Sequence, residues 1–328
     1  MEYRRLGRSG LKISSLIMGT MNFGNPTSKE EVFKIIDHAI AVGINLFDCA
    51  DVYAEGESER ILGEALNRDG KRKRIFLTSK VYMPTGPGPN DRGNSRHHIL
   101  ESCEKSLKQL KTDYIDIYFL HRTDFDVPQE ESLAALDLLV RQGKVRYIGC
   151  STHPAWRIVE AFWISDRYHY PKFICEQPPY NLLDRRIENE IVPMCQAYDL
   201  GIITWSPLAQ GMLACRYTDP SNLPPGSRGT LRGVYAYRIT KRGIEVSFEL
   251  AKRAVQKGCT VSQLAVAWVL NQCGITGAII GPRTFEQFED LLPSADMKLD
   301  KSDFKFCDAL VSPGTYVSNH FNTSRWVK

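Results

Sequence analysis

The chain has 328 residues, 43% of them hydrophobic and 24% charged, and its 42 Lys and Arg against 38 Asp and Glu leave a net charge of +4. This is globular composition with material for a large core, so it excludes a disordered or collagen-like chain. The near-balance of charge lacks the clustered basic excess of a nucleic-acid binder, and no apolar run approaches the ~18 residues of a membrane span. The first residues, Met1 to Arg5, have no apolar stretch behind their charges, so no secretory signal is expected. Nine cysteines, an odd number without a CxxC pair, read as buried free thiols in a reducing compartment, with no zinc spacing. A cytoplasmic protein without a metal is the expectation.

In chain order, two short extended runs, 3–6 and 11–14, flank Gly7 to Gly10 and predict a hairpin. Apolar strands then alternate with amphipathic helices. The pairs are 16–20 with 28–42, 45–50 with 58–67, 75–80 with 96–111, and 115–121 with 129–142. They continue with 145–151 and 155–165, then 173–177 and 187–198. Strand 201–206 leads into an irregular stretch, 215–240, rich in Pro and Gly and therefore loop-like. Helices 243–257 and 260–272, strand 277–281, helix 284–292 and a tail complete the chain. Ser28 and Glu31 suggest a capping box, and Gly43 and Gly143 suggest helix stops. Eight strand–helix units of this kind fit an α/β fold, a closed (β/α)₈ TIM barrel. No linker splits it, so one domain over 1–328 is expected, with the hairpin placed to plug the bottom of the barrel.

A barrel predicts chemistry at the C-terminal ends of its strands. Asp48 lies in the second strand and Tyr53 just after it, Lys80 ends the third, and His121 ends the fourth. Asp48 and Lys80 on adjacent strands are expected to pair, because a lone charge in an apolar strand is costly. An ammonium near a phenol stabilises the phenolate, so Lys80 is expected to tune Tyr53 for proton transfer, with His121 orienting a substrate oxygen. Tyr, Lys, His and Asp without a metal suit carbonyl reduction, and the hydride must come from a nicotinamide cofactor.

The same residues carry a family resemblance. Phe47 to Tyr53 with Gly56 to Glu59, Thr78 to Lys80, Leu120–His121, Gly143 to Gly149, Trp205 to Ala209 and Gly281 to Gln287 resemble the aldo-keto reductase family over essentially the whole chain. The opening Tyr3 to Gly7 resembles its bacterial and potassium-channel β-subunit branches. The resemblance implies Asp48, Tyr53, Lys80 and His121 as the catalytic tetrad and an extended NADP(H), with NADH as the alternative. It implies Gly19, Thr20 and Met21 near the nicotinamide end, Ser151 and Gln177 at the carboxamide, and Trp205 against the ring. It further implies Ser206, Pro207, Leu208, Gln210 and Gly211 at the pyrophosphate, and Gly281, Arg283, Gln287 and Asp290 at the adenosine end. Thr152 and Leu291 depart from the family, which commonly has Asn at both positions. The implied activity is reduction of an aldehyde or ketone to its alcohol, with a small-molecule carbonyl as partner. A cofactor-sensing accessory subunit is the alternative, and a homo-oligomer is compatible with either. Met21, Phe23 and Tyr82 are expected to form the substrate rim. Arg122 beside His121 is open to an anionic or polyhydroxylated substrate or to a surface ion pair. The tail, with His320, Phe321 and Trp326, is expected to dock on the barrel or on a partner.

Overall fold

The computed structural model describes residues 1–231 and 233–321. Strands β1 (Tyr3–Arg5) and β2 (Lys12–Ser14) pair antiparallel, with Tyr3 opposite Ser14. Eight further strands close a parallel barrel in the order β10-β3-β4-β5-β6-β7-β8-β9. They are β3 (Leu16–Gly19), β4 (Leu46–Asp48), β5 (Phe76–Val81), β6 (Ile115–Leu120), β7 (Val145–Cys150), β8 (Cys175–Glu176), β9 (Gly201–Thr204) and β10 (Gly277–Ile280). The connecting helices are α1 (Lys29–Ala41), α2 (Glu57–Leu66), α3 (Arg96–Leu110), α4 (Gln129–Arg141), α5 (Ala155–Tyr168), α6 (Ile191–Ala197), α7 (Arg228–Leu231), α8 (Lys241–Gln256), α9 (Val261–Leu270), α10 (Phe285–Leu291) and α11 (Lys301–Leu310). The chain is thus a (β/α)₈ TIM barrel. No helix among the described residues is long and apolar enough to cross a membrane.

The two-residue period of the strands divides the core in two. Ile17, Leu46, Ile117, Phe119, Ile203 and Ile279 form one cluster, whereas their neighbours Leu16, Met18, Phe47, Tyr118, Ile202 and Ile280 belong to a second cluster with the helices. The first is the barrel interior, and Leu6 and Ile13 of the hairpin belong to it. The hairpin therefore closes the N-terminal end, which leaves the C-terminal mouth for chemistry.

Gly7 makes that closure close-fitting. Its φ is +52°, and a Cβ there would stand 2.4 Å from the Gly201 amide nitrogen and 2.5 Å from the Ile174 carbonyl oxygen. Gly7→Ala is expected to cost about 1–3 kcal/mol through strain and overpacking. A urea midpoint equal to that of the wild type would show that the hairpin does not seal the barrel.

Several elements differ from the sequence reading. Expected strand 173–177 is regular only at Cys175–Glu176. Expected helix 187–198 splits into a 3₁₀ turn, Arg186–Glu188, and α6, because Glu190 between them is non-helical (φ −140°). The stretch 215–240 holds α7 and a 3₁₀ run, Gly233–Arg238. Helix α11 was not anticipated, although Asp300 and Asp303 cap it reciprocally. At α1 only half of the expected box forms. Ser28 accepts from the Glu31 amide, but the Glu31 carboxylate accepts from the Phe285 amide instead.

Residues 317–321 of the tail pack on the chain's own barrel. Val317 N–H donates to the Leu183 carbonyl, and the amides of His320 and Phe321 both donate to Asp184 Oδ2 at 2.7 Å. Phe321 is buried. Trp326 lies outside the described residues.

Candidate active site

The parallel register brings the expected tetrad to one place. Gly19 pairs with Asp48 and Asp48 with Thr78, so the ends of β3, β4 and β5 are level. Two residues beyond Thr78, Lys80 shares its face of β5. The fully buried Lys80 ammonium donates to Asp48 Oδ2 at 2.7 Å, to the Cys49 carbonyl at 2.6 Å and to the Tyr53 hydroxyl at 3.2 Å. Those bonds use its three protons. Asp48 Oδ1 accepts from Thr78 Oγ1 at 2.9 Å and from Gln177 Nε2 at 2.8 Å. Tyr53 is held over Lys80 by an immediate turn, in which Ala54, Glu55 and Gly56 all have positive φ. The His121 ring meets the Tyr53 ring edge-on, with centroids 6.1 Å apart.

The electrostatics follow from burial and from these bonds. Burial pushes the Lys80 ammonium down, but Asp48 and Tyr53 outweigh it and hold its pKa above the ordinary lysine value. Burial raises the Tyr53 phenol above its ordinary value, and the Lys80 ammonium opposes that rise without cancelling it. The expected direction of the lysine's influence is present, but the net shift is upward and Tyr53 is a phenol at neutral pH. Burial, with Arg122 and Lys80, holds His121 well below the usual histidine range, so its imidazole is neutral. Its Nδ1 is buried without a hydrogen-bond partner among the described residues.

Above this floor lies a cavity of about 560 Å³. Asp48, Tyr53 and His121 line it, and Lys80 sits beneath them. Gly19, Thr20 and Met21 line it after β3, Ser151 and Gln177 after β7 and β8, and Trp205, Ser206, Pro207, Leu208, Gln210 and Gly211 after β9. Gly281, Arg283, Gln287 and Asp290 line it after β10. Two substrate-rim residues are corrected. Phe23 is fully buried in the helix-facing core, because its amide closes a turn onto the Thr20 carbonyl (2.9 Å). Tyr82 does not line the cavity, and its successors Met83 and Pro84 do. Met21 stays at the rim. Leu291 lines the cavity but is buried against the core.

The sequence reading missed Asn22, Arg216, Arg228, Tyr235, Arg238 and Ser262, which also line the cavity. Four of them come from the 215–240 stretch, where recurring arginines among Pro and Gly were the available signal. That stretch crosses the mouth. Arg283 and Arg216 donate to the Gly226 carbonyl at 2.6 and 3.4 Å, and Arg228 donates to Asn22 Oδ1 at 2.7 Å.

The donor set fits an extended phosphate-bearing dinucleotide. Ser206, Ala209, Gln210 and Gly211 have φ of +57°, +47°, +61° and +95°, backbone of the kind that gathers N–H groups around an anion. Gln210 Oε1 is buried without a partner among the described residues. Arg216, Arg228 and Arg283 supply cations near that loop and the strand ends. Ser151 Oγ donates to the Gln177 carbonyl at 2.8 Å, which links the expected carboxamide residues to each other, as Gln177 is linked to Asp48.

One cluster arises only in three dimensions. Cys150, His153 and Glu176 place ligand-type atoms within 4.8 Å of one another, all buried. Burial pushes Glu176 up to about 8 and His153 down to about 4, so the trio is largely uncharged at neutral pH. None of the nine cysteines is in a disulfide.

Comparisons with known proteins agree with this fold. The family model described as "Aldo/keto reductase family" matches residues 15–312. The uncharacterized oxidoreductase YrpG of Bacillus subtilis (strain 168) is 37% identical over 326 residues, covering 96% of this chain and 97% of the relative. Probable voltage-gated potassium channel β subunits of Arabidopsis thaliana and Oryza sativa subsp. japonica are each 35% identical over 303 residues, covering 90% of this chain and 92% of theirs. A barrel with these strand-end residues, matched along nearly its full length, belongs to the aldo/keto reductase family of oxidoreductases.

Proposed function

We propose that the chain is an NADP(H)-dependent reductase that converts an aldehyde or ketone to its alcohol, with Tyr53 as general acid. The observation that carries this reading is the Lys80–Tyr53 hydrogen bond at the floor of the cavity. Because the phenol oxygen already accepts from Lys80, its own proton is available to the cavity. Tyr53 gives that proton to the carbonyl oxygen, and neutral His121 offers a ring N–H to the same oxygen. Asp48 holds Lys80, and Thr78 and Gln177 hold Asp48. The nicotinamide, when bound, supplies the hydride that side chains cannot.

The cofactor is held in stages. Gly19, Thr20, Met21, Ser151, Gln177 and Trp205 take the nicotinamide end. Ser206, Pro207, Leu208, Gln210 and Gly211 wrap the pyrophosphate. Gly281, Arg283, Gln287 and Asp290, joined by Arg216 and Arg228, take the adenosine end. Arginine clustering there favours the 2′-phosphate of NADP(H) over NAD(H). Unpaired cysteines support a reducing, cytoplasmic location.

A panel of aldehydes and ketones with NADPH and NADH tests the reading. The expected result is carbonyl-dependent oxidation of NADPH at lower cofactor concentration than NADH. Absence of nicotinamide binding by fluorescence titration would overturn it. The likeness to potassium channel β subunits favours one second reading, a cofactor-sensing accessory subunit. Tight NADPH binding without turnover on any carbonyl, together with co-purification of a channel protein, would select that reading.

A further inference from the structure

Two arginines face the reacting end of the cavity rather than its adenosine end. Arg122 follows His121, and its Nη1 donates to the His121 carbonyl at 2.7 Å and to Thr152 Oγ1 at 3.1 Å. Thr152 is held at φ +54°, a costly conformation for a β-branched residue, so the support for Arg122 is rigid and strained. The Arg122 guanidinium lies 5.8 Å from the Trp205 ring centroid, and that of Arg238 lies 5.9 Å from the same ring. Arg238 is 7% exposed, and its Nε donates to the Tyr237 hydroxyl at 3.2 Å.

Neither arginine forms an ion pair among the described residues. Other part-buried arginines of the chain do so: Arg72 with Asp116, Arg185 with Glu188, Arg186 with Asp184 and Arg253 with Asp303. The carboxyl whose field reaches Arg122 is Glu176, which burial pushes up to about 8 and so leaves largely uncharged at neutral pH. Two cations thus stand at one indole, one of them next to His121, with no carboxylate paired to either among the described residues. A cation withdrawn from water without a counter-charge is costly, and an anion arriving between the two recovers that cost.

We infer that the substrate is a carbonyl compound bearing a carboxylate, which Arg122 and Arg238 hold while its carbonyl oxygen meets Tyr53 and His121. The inference rests on the reduction reading for its carbonyl end and on the two arginines for its anionic end. Arg122 and Arg238 are specificity residues in this account. The planar fork of donors on each arginine sets the distance between carboxylate and carbonyl.

The test compares para-carboxybenzaldehyde with its uncharged methyl ester, by calorimetric titration of the whole protein saturated with NADP⁺ and by reduction with NADPH. The acid is expected to bind about 10- to 100-fold more tightly than the ester, the usual worth of charge-assisted hydrogen bonds. In Arg122→Met and Arg238→Gln the acid-to-ester affinity ratio should fall toward one, and Arg122→Lys should restore part of it. Circular dichroism shows which variants are folded. Should one fail to fold, the ratio in the other decides. Equal binding of acid and ester by the wild type overturns the inference, and so does a ratio that survives in the folded variants. A loss of NADP⁺ affinity with the ratio intact also overturns it and moves the arginines to the cofactor. If the acid is preferred and the arginine variants abolish the preference, yet neither compound is reduced, the anion site stands and the reduction reading falls.

Discussion

Tyr53→Phe is expected to lower carbonyl turnover by roughly 10²–10⁴-fold, the range a positioned general acid supplies. The substitution removes one oxygen that accepts from Lys80 at 3.2 Å and leaves the ring, which lies with its centroid 4.9 Å from the same ammonium, in place. Binding of NADPH by fluorescence titration is therefore expected to persist while turnover collapses. Wild-type turnover in the phenylalanine variant would remove Tyr53 from the chemistry. The pH dependence has a definite sign. Burial holds the Tyr53 phenol above its usual pKa of about 10, so the acid form persists through neutral pH and reduction declines only as pH rises beyond that value. Because burial holds His121 well below its usual range, its imidazole contributes no inflection near pH 6.5. An inflection there that disappears in His121→Gln would contradict a neutral imidazole.

Lys80→Met is expected to destabilise the fold by about 3–5 kcal/mol, since it strands the Asp48 carboxylate among buried groups. Thr78 and Gln177 still donate to Asp48 Oδ1, but Oδ2 loses its cation. The double substitution Asp48→Asn with Lys80→Met removes both charges and is expected to be more stable than Lys80→Met alone. Urea midpoints of the three proteins check this, and equal midpoints for single and double variants would mean that the pair is not coupled. The fold raises the Lys80 pKa above its unfolded value of about 10.4, so the stabilisation is complete below that pH and is lost as pH rises through the higher folded value. The gap between wild type and Lys80→Met should therefore narrow in strong alkali. Any Lys80→Met protein that folds should show its Tyr53 limb displaced further upward, because the group that opposes burial is gone.

How much of this was legible depends on the range of the forces involved. Strand and helix positions are written in the two- and 3.6-residue spacing of apolar residues, a local signal, so the alternation of β3 to β10 with their helices followed from the sequence. So did the hairpin before it. Where the local signal is short or interrupted, the reading failed. Strand β8 has only two regular residues, the helix after it breaks at Glu190, and α11 lay in what read as a tail. Phe23 was misplaced for a related reason. An aromatic near a strand end has no sequence mark for whether its turn aims the ring at the mouth or into the core.

The order and spacing of residues along the chain are enough for the barrel, the closing hairpin and the convergence of Asp48, Tyr53, Lys80 and His121, because in a parallel barrel neighbouring strand ends must lie side by side. The balance of charge at that site emerges only in the folded chain. Desolvation depends on everything packed around a group, so the sequence carried the pull of Lys80 on Tyr53 but not the stronger push of burial. For the same reason only the folded chain showed Glu176 neutralised, Gln177 tied to Asp48, and two arginines from residues 122 and 238 set against one indole. Those contacts join segments far apart in the chain, and their energies exist only once water has been excluded between them.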